Sequence, residues 1–235
     1  MPGKQETIGL LLVTAVTASL LLIGRLTEGI VIFDGLSPVI NRQIAYQLAT
    51  LAIALAFLGI LRKMKGPAFR TYFRPGNLSA KILPEPAVGI KPGLHENWMH
   101  FGTSFAIIIS LVTAVIIYFQ LFKDSTVKTW AIPRILPFAI AFSLVNSFIE
   151  ESITRFGVVV ILKDSVKDKT IPVVSAALFG AVHYWGTPGG AAGVLAAAFL
   201  GWLLAKSILE TRGIGWAWTI HFLQDVIIFS ALLTV

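Results

Sequence analysis

The sequence predicts an all-α, polytopic membrane bundle of about seven spans with its N-terminus cytoplasmic, and three observations carry that prediction. Hydrophobic residues make up 56% of the 235 positions and charged ones only 13%, against roughly 25% charged residues in a typical soluble domain. Apolar runs recur along the chain near the length of about 20 residues that a helix needs to cross a bilayer. Lys and Arg sort into alternate connecting segments, as the positive-inside rule expects of cytoplasmic loops. The net charge of +7 therefore reads as basic loops, and nucleic acid is not an expected partner. The chain has no cysteine, which excludes disulfides, thiolate nucleophiles and cysteine metal sites.

The first predicted span is Ile8–Ile23; Gly24-Arg25-Leu26 after it lacks the small-residue pattern of a signal cleavage site, so it reads as a retained helix. The second is Tyr46–Leu61. A polar stretch from Arg62 to His100 follows, with seven Lys and Arg against Glu85 and Glu96. Its five prolines argue against one continuous helix. Within it, Phe69-Arg70-Thr71-Tyr72-Phe73-Arg74 reads as an interfacial anchor, and Trp98 as another.

The third span is Phe101–Phe122, and a loop over Lys123–Trp130 leads into the long run Ile132–Leu162, where tilt or a kink near Pro137 is expected. The fifth, sixth and seventh are Ile171–Trp185, Gly190–Leu209 and Ile214–Val235. Residues 1–235 thus read as a single membrane domain: 1–130 supply N-terminal helices and the basic cytoplasmic loop 62–100, and 131–235 form a core. Gly189, Gly193, Ala197, Gly201 and Ala205 recur every four residues in the sixth span. Such a stripe lets another helix approach closely, and intramolecular packing is preferred here over a dimer interface.

Polar groups inside the apolar runs point to a site. Asn146, Glu150, Glu151 and Arg155 lie in the fourth run, His183 in the fifth, and His221 and Asp225 in the seventh. An ionisable group costs roughly 2.5–3.5 kcal/mol at a bilayer centre on insertion scales, so it faces a partner or a cavity. Asn146 and Glu150, Glu151 and Arg155, and His221 and Asp225 are each four apart, hence on common helix faces. At about 1.5 Å per residue, Glu150 lies ~20 Å from Lys163, His183 ~17 Å from Pro172, and His221 and Asp225 ~11–17 Å from Ile214. The four are level. Singly, a membrane histidine is more often packing, and Glu151–Arg155 reads best as a helix clamp; jointly, the level set favours a site. His95-Glu96-Asn97-Trp98-Met99-His100 fails as a zinc-protease motif, because its histidines are five apart rather than four.

Three motifs on separate helices then carry a resemblance. Glu150-Glu151-Ser152-Ile153-Thr154-Arg155, Phe179-Gly180-Ala181-Val182-His183 and His221-Phe222-Leu223-Gln224-Asp225 resemble, in order, the E-E-x-x-x-R, F-x-x-x-H and H-x-x-x-N/D motifs of the CPBP intramembrane proteases. That family includes the type II CAAX prenyl endopeptidases and bacteriocin-processing or immunity proteins. Thr154 stands where an aromatic is usual, and Asp225 replaces the commoner Asn.

The resemblance implies an intramembrane endopeptidase in which Glu150 and His183 activate water, and His221 with Asp225 stabilises the oxyanion. Glu151 and Arg155 would support Glu150, and Phe179 would pack beside the site. Asn can donate to an oxyanion whereas ionised Asp only accepts, so Asp225 either is protonated or holds His221 as a cation. No cofactor is favoured, although Glu150, His183 and His221 could form a two-His-one-carboxylate site for a divalent metal such as zinc. The expected partners are a peptide or lipidated-protein substrate and membrane lipids. The expected location is a prokaryotic cell membrane, with the site reached from the cytoplasmic side. Competing readings are a non-proteolytic scaffold or immunity protein and a proton-coupled transporter; the transporter predicts repeats in both halves, which the sequence lacks.

Overall fold

A computed structural model describes residues 3–123 and 132–234; most of the expected loop over Lys123–Trp130 lies outside them. Helices make up the fold: α1 Lys4–Leu26, α2 Pro38–Met64, the short α3 Gly66–Tyr72, α4 Trp98–Ile117, α5 Ile132–Glu150, α6 Val158–Leu162, α7 Thr170–Val182, α8 Gly190–Thr211 and α9 Gly215–Leu232. No strand forms among the described residues; two isolated β-bridges, Lys81 with Asn97 and Glu85 with Ile90, pin the basic loop.

Five segments are long and apolar enough to cross a membrane: Lys4–Leu26, Pro38–Met64, Trp98–Phe122, Ile132–Leu162 and Gly190–Thr211. Two expected spans fall short of that standard. The apolar helix over Thr170–Trp185 is shorter than the others, and α9 is diluted by His221, Gln224 and Asp225. Leu11, Leu48, Leu111 and Leu195 point outward from four of the long helices, as residues facing lipid would.

Helix ends follow local chemistry. Ser37 caps α2 by accepting from the Ile40 amide, with Pro38 at the first helical position, and Arg62 and Lys63 occupy its last turn. Asn97 caps α4 by accepting from the His100 amide. The decoy motif is therefore a helix start.

The fourth run departs from expectation. It continues as α-helix through Pro137, and the irregularity comes later, as a π-helical stretch over Glu151–Gly157. Widened turns of this kind leave backbone carbonyls in need of partners. Ser175 of α7 donates to Thr154 O at 2.8 Å and supplies one.

The basic loop is more tightly bound than a solvated tether. Trp98 is fully buried rather than interfacial, and its indole N–H donates to Glu210 Oε2 at 2.9 Å. Phe69 and Tyr72 are buried too, and Phe69 meets Phe156 edge-to-face. The predicted anchors thus pack onto the bundle, because the loop folds back over it. Ile214 and Gly215 donate to Arg74 O and Pro75 O. A Cβ on Gly213 would sit 2.3 Å from the Gly76 nitrogen, so the crossing requires glycine.

Packing sets the levels of the helices. Ile40 of α2 clusters with Ala139 and Phe142 of α5, while Phe57 lies against Gly157. The two helices therefore run in the same direction, with Tyr46 and Gln47 level with Asn146. The small-residue stripe of α8 works within the molecule: a Cβ on Gly201 would lie 3.2 Å from Phe179 Cβ, and Ala198 crowds Gly180 of α7.

Candidate active site

Three of the four expected catalytic side chains meet in one cluster, and the fourth lines the same cavity. Glu150 ends the regular part of α5, and His221 and Asp225 lie one turn apart on α9. His221 Nε2 stands 3.6 Å from Glu150 Oε2 and 3.5 Å from Asp225 Oδ1. His183 begins a 3₁₀ turn at the end of α7. Its Nδ1 lies 2.8 Å from Phe179 O; a carbonyl only accepts, so Nδ1–H donates and Nε2 is left as the free nitrogen.

The supporting residues form the frame, with one change of role. His221 Nδ1 lies 2.7 Å from Glu151 Oε1, the tightest contact of the imidazole. Glu151, expected to clamp its own helix and support Glu150, also orients the histidine from a neighbouring helix. It also keeps the expected pairing, with Arg155 Nη1 3.3 Å away and both side chains fully buried. The π-helical stretch that begins at Glu151 accompanies this: consecutive carboxylates both reach the His221 ring. Asn146 does more than extend a polar stripe. Its Nδ2 donates to Glu150 Oε1 at 3.3 Å and to Asp225 Oδ2 at 3.0 Å, tying α5 to α9.

Phe179 packs where it was expected. The Arg155 guanidinium carbon lies 3.2 Å from its ring centroid, a cation–π contact, and the ring also touches His183 and His221. Thr154, in place of an aromatic, donates to Glu150 O at 2.7 Å and accepts from Arg155 Nη1 at 2.9 Å.

A cavity of about 800 Å³ adjoins the cluster, lined by Glu150, His183, His221 and Asp225. Its other walls include Gln43 and Tyr46 of α2, which the motifs do not mark. The sequence signal for them was available: Gln43, Tyr46, Gln47 and Thr50 recur at helical spacing inside an apolar span. Glu150 Oε2 and Glu151 Oε2 are buried with no hydrogen-bond partner among the described residues.

The cavity extends towards Arg25, Glu28 and Arg42 and the turn Trp185–Pro188. These lie at the end of the bundle opposite the basic loop, since α1 and α7 lead to that end and α2 and α8 start from it.

Among the described residues no three His, Cys, Asp or Glu side chains are grouped to hold a metal ion. The carbonyl contact of His183 Nδ1 leaves Nε2 as its one possible ligand atom, and Glu150, His183 and His221 are not gathered as a ligand set in this arrangement.

Comparison with protein families finds one match: residues 132–227 fit the family model described as type II CAAX prenyl endopeptidase Rce1-like. Residues 132–227 are thus similar to the Rce1-like family. The Rce1-like segment contains every expected catalytic residue and every supporting one, and it excludes α1, α2 and the basic loop. No curated protein and no solved structure matches the chain.

Proposed function

We propose that this protein is an intramembrane endopeptidase of the CAAX-protease type, acting on an apolar or lipidated peptide. The observation that best supports it is the meeting of Glu150, His221 and Asp225 within 3.6 Å on the wall of a cavity that His183 also lines. A peptide bond entering that cavity would meet a carboxylate with a free oxygen and an imidazole with a free nitrogen on adjacent helices.

In this reading Glu150 takes a proton from water as the oxygen attacks the scissile carbonyl, with His183 Nε2 holding the same water. Such proton transfer contributes roughly 10²–10⁴-fold. The C–N bond then breaks as the protonated Glu150 carboxyl returns its proton to the leaving nitrogen. In its imidazolium form His221 donates from Nε2 towards the oxyanion while Glu151 keeps hold of Nδ1. Asp225 helps hold that ring. Water activation here needs no metal.

Charge supports an orientation. The segments 62–100 and 163–170 and Arg212 all lie at one end of the bundle and are rich in Lys and Arg, so that end faces the cytoplasm. With α7 and α9 counted as crossings, the chain spans seven times from a cytoplasmic N-terminus. Substrate then enters from the opposite face, in place of the cytoplasmic entry the sequence suggested.

The decisive assay is cleavage of a quenched fluorescent farnesylated CAAX peptide by purified protein in detergent, with Glu150→Ala and His183→Ala beside the wild type and with and without a chelator. Cleavage by the wild type and by neither variant is expected, unchanged by chelator. Full activity of Glu150→Ala would sink the assignment.

A further inference from the structure

The oxyanion needs a neutral donor that the motif residues are poorly placed to supply. Asp225 stands where Asn would donate, and its Oδ2 already accepts from Asn146 while its Oδ1 faces His221. The Asn146 amide is shared between two carboxylates. Arg155 is fully buried behind Glu151 and Phe179. None of these offers a free N–H or O–H to the cavity.

Helix α2 offers one. Gln43, Tyr46, Gln47 and Thr50 lie on one face of it, and the packing of Ile40 and Phe57 sets that face level with Asn146–Glu150. Tyr46 and Gln43 line the same cavity as Glu150 and His183. The Tyr46 ring edge rests beside Gly24 of α1, 3.8 Å from where a Cβ would stand. The Tyr46 hydroxyl makes no hydrogen bond to any described residue.

Polar side chains used only to join helices would be paired with one another. These are not. Gln43 Oε1 and both amide atoms of Gln47 are buried without a partner among the described residues, and Gln47 is only 4% exposed. Thr50 spends its hydroxyl on Tyr46 O at 2.7 Å, but Gln43 and Tyr46 line the cavity at the level of the cluster with hydrogen-bonding capacity unused, an arrangement for a ligand rather than for the fold.

We propose that Tyr46 is a catalytic residue of this site. Its phenolic O–H donates to the oxyanion of the tetrahedral intermediate, from a helix outside the Rce1-like segment, and replaces the donor lost where Asp225 stands. The proposal rests on the protease reading above. No bond to Tyr46 forms or breaks; the hydroxyl stabilises charge as it develops and stays neutral throughout.

The test is Tyr46→Phe, which keeps the ring and removes only the hydroxyl, measured beside wild type and Glu150→Gln with a cleavable peptide and a phosphinate analogue of its tetrahedral intermediate. Loss of one oxyanion donor costs about 10²–10³ in kcat, so a fall of that order with KM held is expected. Affinity for the phosphinate should weaken by the same factor, and affinity for an uncleaved N-methyl-amide analogue should not change. Wild-type kcat and phosphinate affinity in Tyr46→Phe, with Glu150→Gln inactive, would overturn the role of Tyr46 and leave the protease standing. A loss carried by KM, or matched in the N-methyl-amide analogue, would overturn it too. A wild type that neither cleaves peptide nor binds phosphinate would overturn both.

Discussion

Two buried charge clusters in this molecule have similar composition and different fates. At the basic end, Lys206 pairs with Glu210 one turn away and lies 3.9 Å from Glu85. Glu210 Oε2 accepts from the Trp98 indole and the Leu83 amide, and no polar side-chain atom of this group is left buried and unpaired. At mid-depth, Glu150, Glu151, Arg155, His221 and Asp225 lie equally deep, yet Glu150 Oε2, Glu151 Oε2 and two Arg155 nitrogens have no partner among the described residues. The satisfied cluster ties a loop to the bundle, and the unsatisfied one borders a cavity. What separates the two clusters is unused hydrogen-bonding capacity beside open space, and burial alone does not.

The largest expected effect tests the cavity cluster. Glu150→Gln keeps shape and removes the proposed base, so peptide cleavage should fall about 10³-fold with the melting temperature in detergent nearly unchanged. A variant that melts early would make Glu150 structural and erase the contrast.

Glu151→Gln should act on both activity and stability. It leaves Arg155 buried without its carboxylate, and breaking such a pair from one side costs roughly 3–5 kcal/mol. It also loosens His221, so chemical denaturation and turnover should shift together. Glu210→Gln is the control at the other cluster. Lys206 loses its closest partner, so stability should fall by an amount of the same order, while kcat of the folded fraction stays at the wild-type value. A drop in kcat there would mean the two ends are coupled.

Asn146→Ala should be milder. It frees two carboxylates that face a cavity, and a lost hydrogen bond to a charged group is worth about 1.5–3 kcal/mol; roughly a tenfold fall in kcat is expected. The smallest perturbation reads topology. Because the chain has no native cysteine, Lys169→Cys at the basic end and Glu28→Cys at the cavity end can be labelled separately in sealed vesicles or cells. A membrane-impermeant thiol reagent applied outside should reach Cys at position 28 and not at 169; the opposite pattern would restore cytoplasmic entry to the site.

Much of this was legible in the chain before folding. Apolar run length gave the long helices, because crossing lipid demands that every backbone group be paired within the helix. The motif residues were legible because an ionisable group in an apolar run needs a reason, and their common depth followed from the helical rise alone. Helix spacing also foresaw the Glu151–Arg155 pair.

The rest lay beyond one-dimensional reading, since it depends on which faces of separate helices meet. Sequence paired His221 with Asp225, one turn away; the fold gave its Nδ1 to Glu151 on another helix. Trp98 and Phe69 looked like interfacial anchors until the loop folded back and buried them. Tyr46 and Gln43 carried the right spacing, yet only the packing of α2 against α5 set them on the cavity wall. Charge sorting named the basic end, and the tertiary structure alone revealed that the cavity extends towards the other. Local chemistry and hydropathy are properties of the chain, whereas the partner of a buried polar atom is a property of the packed helices.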